Sequence, residues 1–219
     1  ASTGITGICG SGIIEVMAEL YLAGIINQDG VVDGSLAERT SRVVPNGRTF
    51  AYVLHDGEQR LMITQNDVRA IQLAKAALNA GILLLMERLG VEKVDRIRLA
   101  GAFGSHIDVK YAMVLGMIPD CALSEVTSAG NAAGTGARIA LLDSRSRAVI
   151  EDTVRRIEKI ETAIEPRFQA HFVESMAIPH KTAPYTQLRA VVPLPEPKAV
   201  VASASEGRER RPSRRPARA

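Results

Sequence analysis

Apolar residues recur every three or four positions in residues 13–26, a spacing that predicts an amphipathic helix. The pattern changes after the Asp29-Gly30 turn. Residues 43–54 have the composition of two short strands around Asn46-Gly47, a strong hairpin signal, and residues 60–63 follow as a third strand. The first part of the chain is therefore predicted to form one helix and a small antiparallel sheet.

A long helix is predicted from Thr64 to Leu89. Thr64 and Asp67 form a variant of the capping box at its start, and Gly90 ends it. Between residues 71 and 85 the helix is apolar on almost every side. A helix that is apolar all round is normally buried, so we expect it at the centre of the fold.

The remaining sequence alternates strands and helices. Residues 94–100 and 126–128 are predicted strands, and each is followed by a glycine-containing turn and a helix. The predicted helices cover residues 108–115, 131–142 and 144–164, and a short amphipathic element covers residues 168–176. This alternation predicts an α/β fold in which a mixed sheet is flanked by helices.

Composition divides the 219-residue chain near residue 180. We expect residues 1–180 to form one lobe and residues 181–219 to form a disordered tail rich in Pro and Arg. Residues 197–219 carry a net charge of +5, which leaves −2 for residues 1–196. The basic run at residues 208–218 is compatible with an acidic partner, but a solvated tail is the simpler interpretation, and nucleic acid is not an expected partner.

The chain starts with Ala1 rather than Met, which indicates processing or a missing upstream segment. The first residues lack the basic region of a signal peptide, and no apolar run is long enough for a membrane span. Two cysteines, Cys9 and Cys121, are too few for a secreted disulfide framework. We therefore expect a cytoplasmic protein with reduced thiols.

Three glycine-rich turns are the candidate functional segments. Glycine lets a backbone approach a ligand, and helix starts and the carboxyl ends of strands are frequent ligand sites. Plain packing is the alternative for the first turn, and capping of the following helix is the alternative for Asn131. The candidate residues are Gly10, Ser11 and Gly12 before the first helix, Gly101, Ala102, Phe103 and Gly104 after a strand, and Gly130 and Asn131 before a later helix.

Together with ITQNDV at residues 63–68 and QLAKAA at residues 72–77, these turns resemble the C-terminal domain of the corrinoid-activating [2Fe–2S] ferredoxin family, the reductive activators of corrinoid proteins. The resemblance covers residues 4–179. It implies a lobe of the actin, Hsp70 and acetate-kinase (ASKHA, ribonuclease H-like) fold, incomplete at its N-terminus. By this resemblance residues 101–104 would contact adenosine, Gly130 and Asn131 would lie at the hinge between lobes, and residues 10–12 would face the cleft.

The resemblance also implies a function for the complete protein. Family members use ATP to drive reduction of Co(II) corrinoid to Co(I) on the corrinoid protein of a methyltransferase system. The implied cofactors are ATP and Mg²⁺ and a [2Fe–2S] cluster in an N-terminal domain that is missing here. The implied partner is a corrinoid protein, and a homodimer is possible.

Several features of the sequence depart from that pattern. It has no Asp-x-Gly-Thr phosphate turn and no Walker motif, and two cysteines cannot ligate an iron–sulfur cluster. The four histidines show no metal-ligand spacing, so no metal site is predicted, and no catalytic residue can be assigned. We expect the chain alone to be inactive. Two alternatives stay open, a non-catalytic module for docking or dimerisation and a kinase of the same superfamily.

Overall fold

A computed structural model describes residues 4–196, except for the side chain of Phe103. The helices are α1 (Gly10–Leu22), α2 (Gln65–Leu89), α3 (Val109–Val114), α4 (Ala132–Leu142), α5 (Ser144–Arg155), α6 (Phe168–Glu174) and α7 (Thr186–Arg189). The strands are β1 (Val43–Asn46), β2 (Thr49–Asp56), β3 (Arg60–Thr64), β4 (Ile97–Ala100) and β5 (Val126–Gly130). The predicted α/β class is confirmed, and the described strands form two sheets.

The first sheet is antiparallel with strand order β1-β2-β3, as the sequence predicts. Gly47, in the hairpin turn, has a φ of 61°, which suits glycine in that tight connection. Val43 is opposite Tyr52, and Val53 is opposite Met62. The second sheet consists of β4 and β5, which are parallel.

Helix α1 is shorter than predicted and starts earlier. It ends at Leu22 instead of residue 26 because Gly24 adopts a φ of 69°, a left-handed conformation that no helix continues through. The chain then turns, and Ile26 forms an isolated bridge with Val32. At the other end, Gly10 is already helical, so the first glycine-rich segment belongs to the first turn of α1.

Helix α2 has the predicted ends. The Thr64 hydroxyl oxygen accepts the Asp67 N–H at 3.2 Å, and the Asp67 carboxylate accepts the Thr64 N–H at 2.8 Å. Gly90 has a φ of 64° and adopts the left-handed conformation that ends the helix. These two local signals fix both ends without help from distant residues.

The prediction that α2 is a central buried helix holds for one face only. Its buried face carries Gln72, Lys75 and Asn79, whereas leucines on other faces, including Leu78 and Leu85, are about half exposed. Although the sequence has no uninterrupted apolar run of membrane-spanning length, α2 is, within residues 4–196, the one helix whose length and average composition would let it cross a membrane. Its polar buried face is hydrogen-bonded to the protein body, which is the arrangement of a core helix.

The segment at residues 181–196 is also different from the prediction, because it is packed rather than part of a tail. Tyr185, Leu188, Val192 and Leu194 are all buried. The Asp120 carboxylate accepts the N–H groups of residues 187 and 188 at 2.9 and 3.0 Å, which fixes the start of α7. Residues 197–219, the rest of the predicted tail, lie outside the described residues.

Helix α5 ends at Arg155 rather than near residue 164. It forms a hairpin with α4, and neither helix has a buried residue. Apolar side chains on this pair are strongly exposed, among them Leu142 at 83% and Val149 at 65%. The hairpin therefore presents an apolar surface that the described residues leave uncovered.

Candidate functional site

Two of the predicted turns meet at one edge of the parallel sheet. Leu99 of β4 is opposite Ser128 of β5, so the carboxyl ends of both strands lie side by side. The N–H of Gly101 donates a hydrogen bond of 2.8 Å to the carbonyl of Gly130. The structure thus brings residues 101–104 and Gly130-Asn131 together at the position where α/β sheets commonly bind ligands.

Two serines close this contact into a ring of hydrogen bonds. The Gly130 N–H donates to Ser128 Oγ at 3.1 Å, and Ser128 Oγ is 3.3 Å from Ser105 Oγ, to which it donates. Ser105 Oγ then donates to the Gly101 carbonyl at 3.2 Å. Ser105 and Ser128 were not among the predicted site residues, and the only sequence signal is a serine near the glycine of each turn.

The turn after β4 has a backbone that requires glycine. Gly101 has a φ of 100°, which residues with a Cβ rarely adopt. A Cβ at this position would have no heavy atom within 4 Å apart from its chain neighbours, so the turn is open on that side. At Gly104, by contrast, a Cβ would lie 3.2 Å from the backbone of Leu99. The turn therefore packs on the end of β4 and leaves the Gly101 backbone accessible.

Asn131 has the capping role that the sequence left open as an alternative. Its side-chain oxygen accepts the Gly134 N–H at 2.9 Å at the start of α4. A Cβ on Gly134 would lie 2.7 Å from the Asn131 side-chain nitrogen, so this close cap depends on glycine there. Asn131 holds α4 against the end of β5, and its predicted role at a hinge stays a prediction.

Gly10, Ser11 and Gly12 lie apart from that ring in the hydrogen-bond pattern. Among the described residues, no hydrogen bond joins them to the turns after β4 and β5. Helix α1 instead packs against α3, the helix that follows the Gly101 turn, and Tyr111 donates a hydrogen bond to Glu19 across this contact. Glu19 therefore ties two helices together.

Cys9 immediately precedes α1 and is exposed. Its Sγ is 3.3 Å from Ser11 Oγ. The Ser11 hydroxyl and then the Gly12 N–H stabilise the thiolate and lower the pKa of Cys9. Cys121, the other cysteine, is buried, and burial raises its pKa. The two thiols are thus chemically different.

A second polar centre lies on the buried face of α2. Gln72 Nε2 donates to the Met176 carbonyl at 2.9 Å, and Lys75 Nζ donates to the carbonyls of Ala177 and Pro179. Burial lowers the pKa of Lys75 to about 7, because no carboxylate compensates the desolvation of the ammonium. This centre was missed because polar residues on a predicted helix are normally assigned to its exposed face.

Asn79 continues that polar centre one turn further along α2. Its Nδ2 donates to the Gly116 carbonyl at 2.8 Å and lies 3.4 Å from the Tyr185 hydroxyl, and its Oδ1 accepts from Ser175 at 3.3 Å. Tyr185 in turn donates to the carbonyl of Ile118 at 3.0 Å. The network connects α2 to residues 175–185 and is structural.

Comparison with known proteins assigns the family. The model of the C-terminal domain of RACo, the ASKHA domain, matches residues 1–189. The chain belongs to this family. The ASKHA-type fold that the turns predicted is therefore confirmed.

Individual relatives agree with that assignment. The corrinoid activation enzyme RamQ of Eubacterium limosum is 37% identical over 174 residues, which cover 74% of this chain and 29% of RamQ. A solved structure of a reductive activator for corrinoid, iron-sulfur protein superposes with a TM-score of 0.69 at 31% identity, covering 80% of this chain and 28% of the activator. The chain thus spans less than a third of the length of these relatives.

The described residues include one accessible backbone turn at the strand ends and no iron–sulfur ligand set. The open backbone at Gly101 and the paired strand ends offer a surface for one side of a planar or sugar group. In residues 4–196 there is no group of three His, Cys, Asp or Glu side chains placed to hold a metal ion. With one exposed and one buried cysteine, this ASKHA domain has no ligand set for a [2Fe–2S] cluster.

Proposed function

We propose that this chain supplies part of the ATP-binding domain of a reductive activator that restores Co(I) corrinoid on the corrinoid protein of a methyltransferase system. The observation that carries the proposal is the closed ring of hydrogen bonds between the turns after β4 and β5, in a chain that belongs to the RACo C-terminal family. That ring fixes two backbone turns at the carboxyl edge of a parallel sheet, which is where α/β folds commonly bind ligands.

In this proposal the turn at residues 101–104 contacts the adenosine, and Gly130 with Asn131 forms the hinge. Residues 10–12 at the start of α1 face the same cleft. ATP with Mg²⁺ supplies the free energy for an uphill electron transfer when it is bound. The chain's own residues bind and orient the nucleoside, whereas the phosphate turns and the [2Fe–2S] cluster belong to other parts of the longer protein.

Two features of the fold support a nucleotide site that is shared between this chain and another part of the longer protein. A pair of parallel strands is normally covered on both faces, yet three residues of β5, Thr127, Ser128 and Ala129, are exposed. The α4–α5 hairpin has an apolar surface that the described residues leave uncovered. Both surfaces are what a domain shows when its remaining part is supplied by another segment. We place the complete protein in the cytoplasm.

The test is calorimetric titration with Mg-ATP of this chain and of the polypeptide extended by its upstream coding sequence. The proposal expects binding by the extended form only. Gly101→Ala in that form should weaken binding at least tenfold, because a Cβ is disfavoured at a φ of 100° and would occupy the open face of the turn. Gly81→Ala is the matched control, since a Cβ there also meets no atom within 4 Å and α2 accepts alanine.

Absence of Mg-ATP binding by both forms would contradict the proposal. The uncovered apolar surface of α4 and α5 would then favour the alternative, a non-catalytic module that docks on the corrinoid protein or forms a homodimer. Sedimentation of the extended form, alone and with a corrinoid protein, separates these two outcomes.

A further inference from the structure

A cleft of about 410 Å³ lies on the side of the molecule away from the candidate site. It is formed by the C-terminal half of α2 and by residues 92–95, 119–122 and 183–187. Residues 94 and 95 precede β4, so the cleft is at the amino end of that strand, whereas the glycine turns are at its carboxyl end. The cleft is therefore separate from the proposed nucleotide site.

The cleft combines apolar walls with an acidic rim. Leu83 and Met86 of α2 line one wall. The ionisable rim residues are Glu92, Asp95, Asp120 and a single cation, Lys93. Asp120 is occupied as the cap of α7, but within residues 4–196 neither Glu92 nor Asp95 has an ion-pair partner. The rim thus carries three carboxylates against one ammonium, and two of those carboxylates stand at the edge of an apolar groove without an ion pair among the described residues.

The floor of the cleft adds no opposing charge. Asn79 and Tyr185 are hydrogen-bonded within the core. His180 Nδ1 accepts the N–H groups of Thr182 and Ala183 at 3.2 and 3.1 Å, so the proton of the neutral ring is on Nε2. Burial and then the nearby Lys75 lower the pKa of His180, which keeps the ring neutral at physiological pH. The electrostatic potential at the rim is therefore negative and comes from its carboxylates.

This chain carries a segment of complementary chemistry. Residues 208–218 contain six arginines, one glutamate and two prolines. Arginine packs its aliphatic stem on apolar surface while its guanidinium pairs with carboxylates, and proline lowers the entropy lost on docking. A groove with apolar walls and an acidic rim matches both properties.

The chain is long enough for the contact. Eleven residues separate Glu196 from Arg208, which permits a span of about 35–40 Å. A body of this size has a diameter of roughly 40 Å, so the segment reaches most of the surface. Because it is tethered, its effective concentration at the cleft is on the order of millimolar, and a weak contact suffices.

We propose that this cleft is the docking site of the chain's own basic C-terminal segment, residues 208–218. The contact covers the apolar walls, neutralises Glu92 and Asp95, and does not depend on nucleotide. Its failure would leave the proposed function untouched, because the glycine turns lie at the other end of β4.

Paramagnetic relaxation in the full chain tests the docking. A nitroxide is attached through Ser213→Cys in a Cys9→Ser background, and backbone amide intensities are compared before and after the label is reduced. We expect at least a twofold loss of intensity at residues 92–95 and 183–187. Glu92→Lys with Asp95→Lys should abolish this loss, and so should high salt, since the contact is electrostatic.

The matched control is Glu38→Lys with Glu58→Lys, which changes the net charge equally at exposed positions outside the cleft and should preserve the intensity loss. Three outcomes would overturn the proposal. The loss is absent at the cleft, it survives the Glu92→Lys and Asp95→Lys reversal, or it persists undiminished on a nitroxide-free ¹⁵N copy mixed with a nitroxide-labelled ¹⁴N copy, which identifies a second molecule as the occupant.

Discussion

The side-chain nitrogen of Lys75 lies 2.8 Å from the carbonyl oxygen of Pro179, in a part of the core without a paired carboxylate. Its other acceptor is the carbonyl of Ala177. Two acceptors match the two N–H groups of a neutral amine, whereas an ammonium would carry a third proton without a described partner. The arrangement therefore favours the neutral form of this lysine in the folded protein.

Because of Lys75, the stability of the fold should depend on pH in the neutral to alkaline range. The pKa of Lys75 is about 7 in the folded state and near 10.4 when unfolded, so the unfolded chain binds more protons between these values. The free energy of unfolding should consequently rise with pH, by about 3 kcal/mol between pH 7 and pH 9.5. Urea titrations at several pH values measure this slope.

Lys75→Met is expected to flatten that slope, because the titrating group is gone. Lys93→Met, at an exposed lysine, is the control and should retain the slope. An unchanged pH dependence in Lys75→Met would show that Lys75 has an ordinary pKa in the fold.

Gly116→Ala should destabilise the protein by more than about 3 kcal/mol, through backbone strain and overpacking. Gly116 has a φ of 72°, and a Cβ would lie 2.7 Å from the carbonyl carbon of Pro179. Gly24→Ala is a matched control with a φ of 69° and no neighbouring atom within 4 Å. Chemical unfolding of both variants isolates the cost of the crowding, and equal losses would contradict it.

Leu188→Ala tests whether residues 181–196 are part of the folded body. Leu188 is fully buried, so its truncation should cost about 2–5 kcal/mol of stability. Val191, three residues later, is 63% exposed, and Val191→Ala should change stability by less than about 0.5 kcal/mol. If thermal unfolding found both variants equal to the parent, residues 181–196 would not be packed in solution.

Cys9 should react with iodoacetamide faster than Cys121 in the folded protein. Cys9 is exposed and its pKa is lowered, whereas Cys121 is buried and its pKa is raised. Ser11→Ala should raise the pKa of Cys9 and slow its alkylation severalfold at pH 7.5. Mass spectrometry across pH gives both rates. Ser35→Ala is the control, and an equal effect of the two variants would exclude the Ser11 hydrogen bond as the cause.

Local signals predicted much of the fold. The capping box at Thr64 and the left-handed Gly90 fix α2 from within its own sequence, and Asn46-Gly47 fixes the hairpin. Predictions were wrong where contacts between residues distant in sequence determine whether a segment is buried. The apolar residues at 188, 192 and 194 sit among prolines, so their composition resembled a tail although their side chains fill the core.

The candidate site was predicted only in part for the same reason. Glycine and the strand–turn–helix pattern identified residues 101–104 and 130–131 separately. Their contact depends on the parallel pairing of β4 and β5, which are some thirty residues apart in sequence. The hydrogen bond between the hydroxyls of Ser128 and Ser105 forms only because that pairing brings the two turns together. The buried polar face of α2 could not be predicted without knowing that the carbonyls of residues 176, 177 and 179 lie against it.

Helix α2 acts as a template for the segment that crosses it. Gln72, Lys75 and Asn79 are spaced by three and four positions, and all three bind backbone or side-chain groups within residues 175–179. Side chains of a helix here perform the task that a neighbouring strand performs in a sheet. One residue inserted into α2 between Gln72 and Asn79 would rotate the two halves by about 100° relative to each other. The alignment of α2 with residues 175–179 should therefore survive a single substitution more readily than a single insertion.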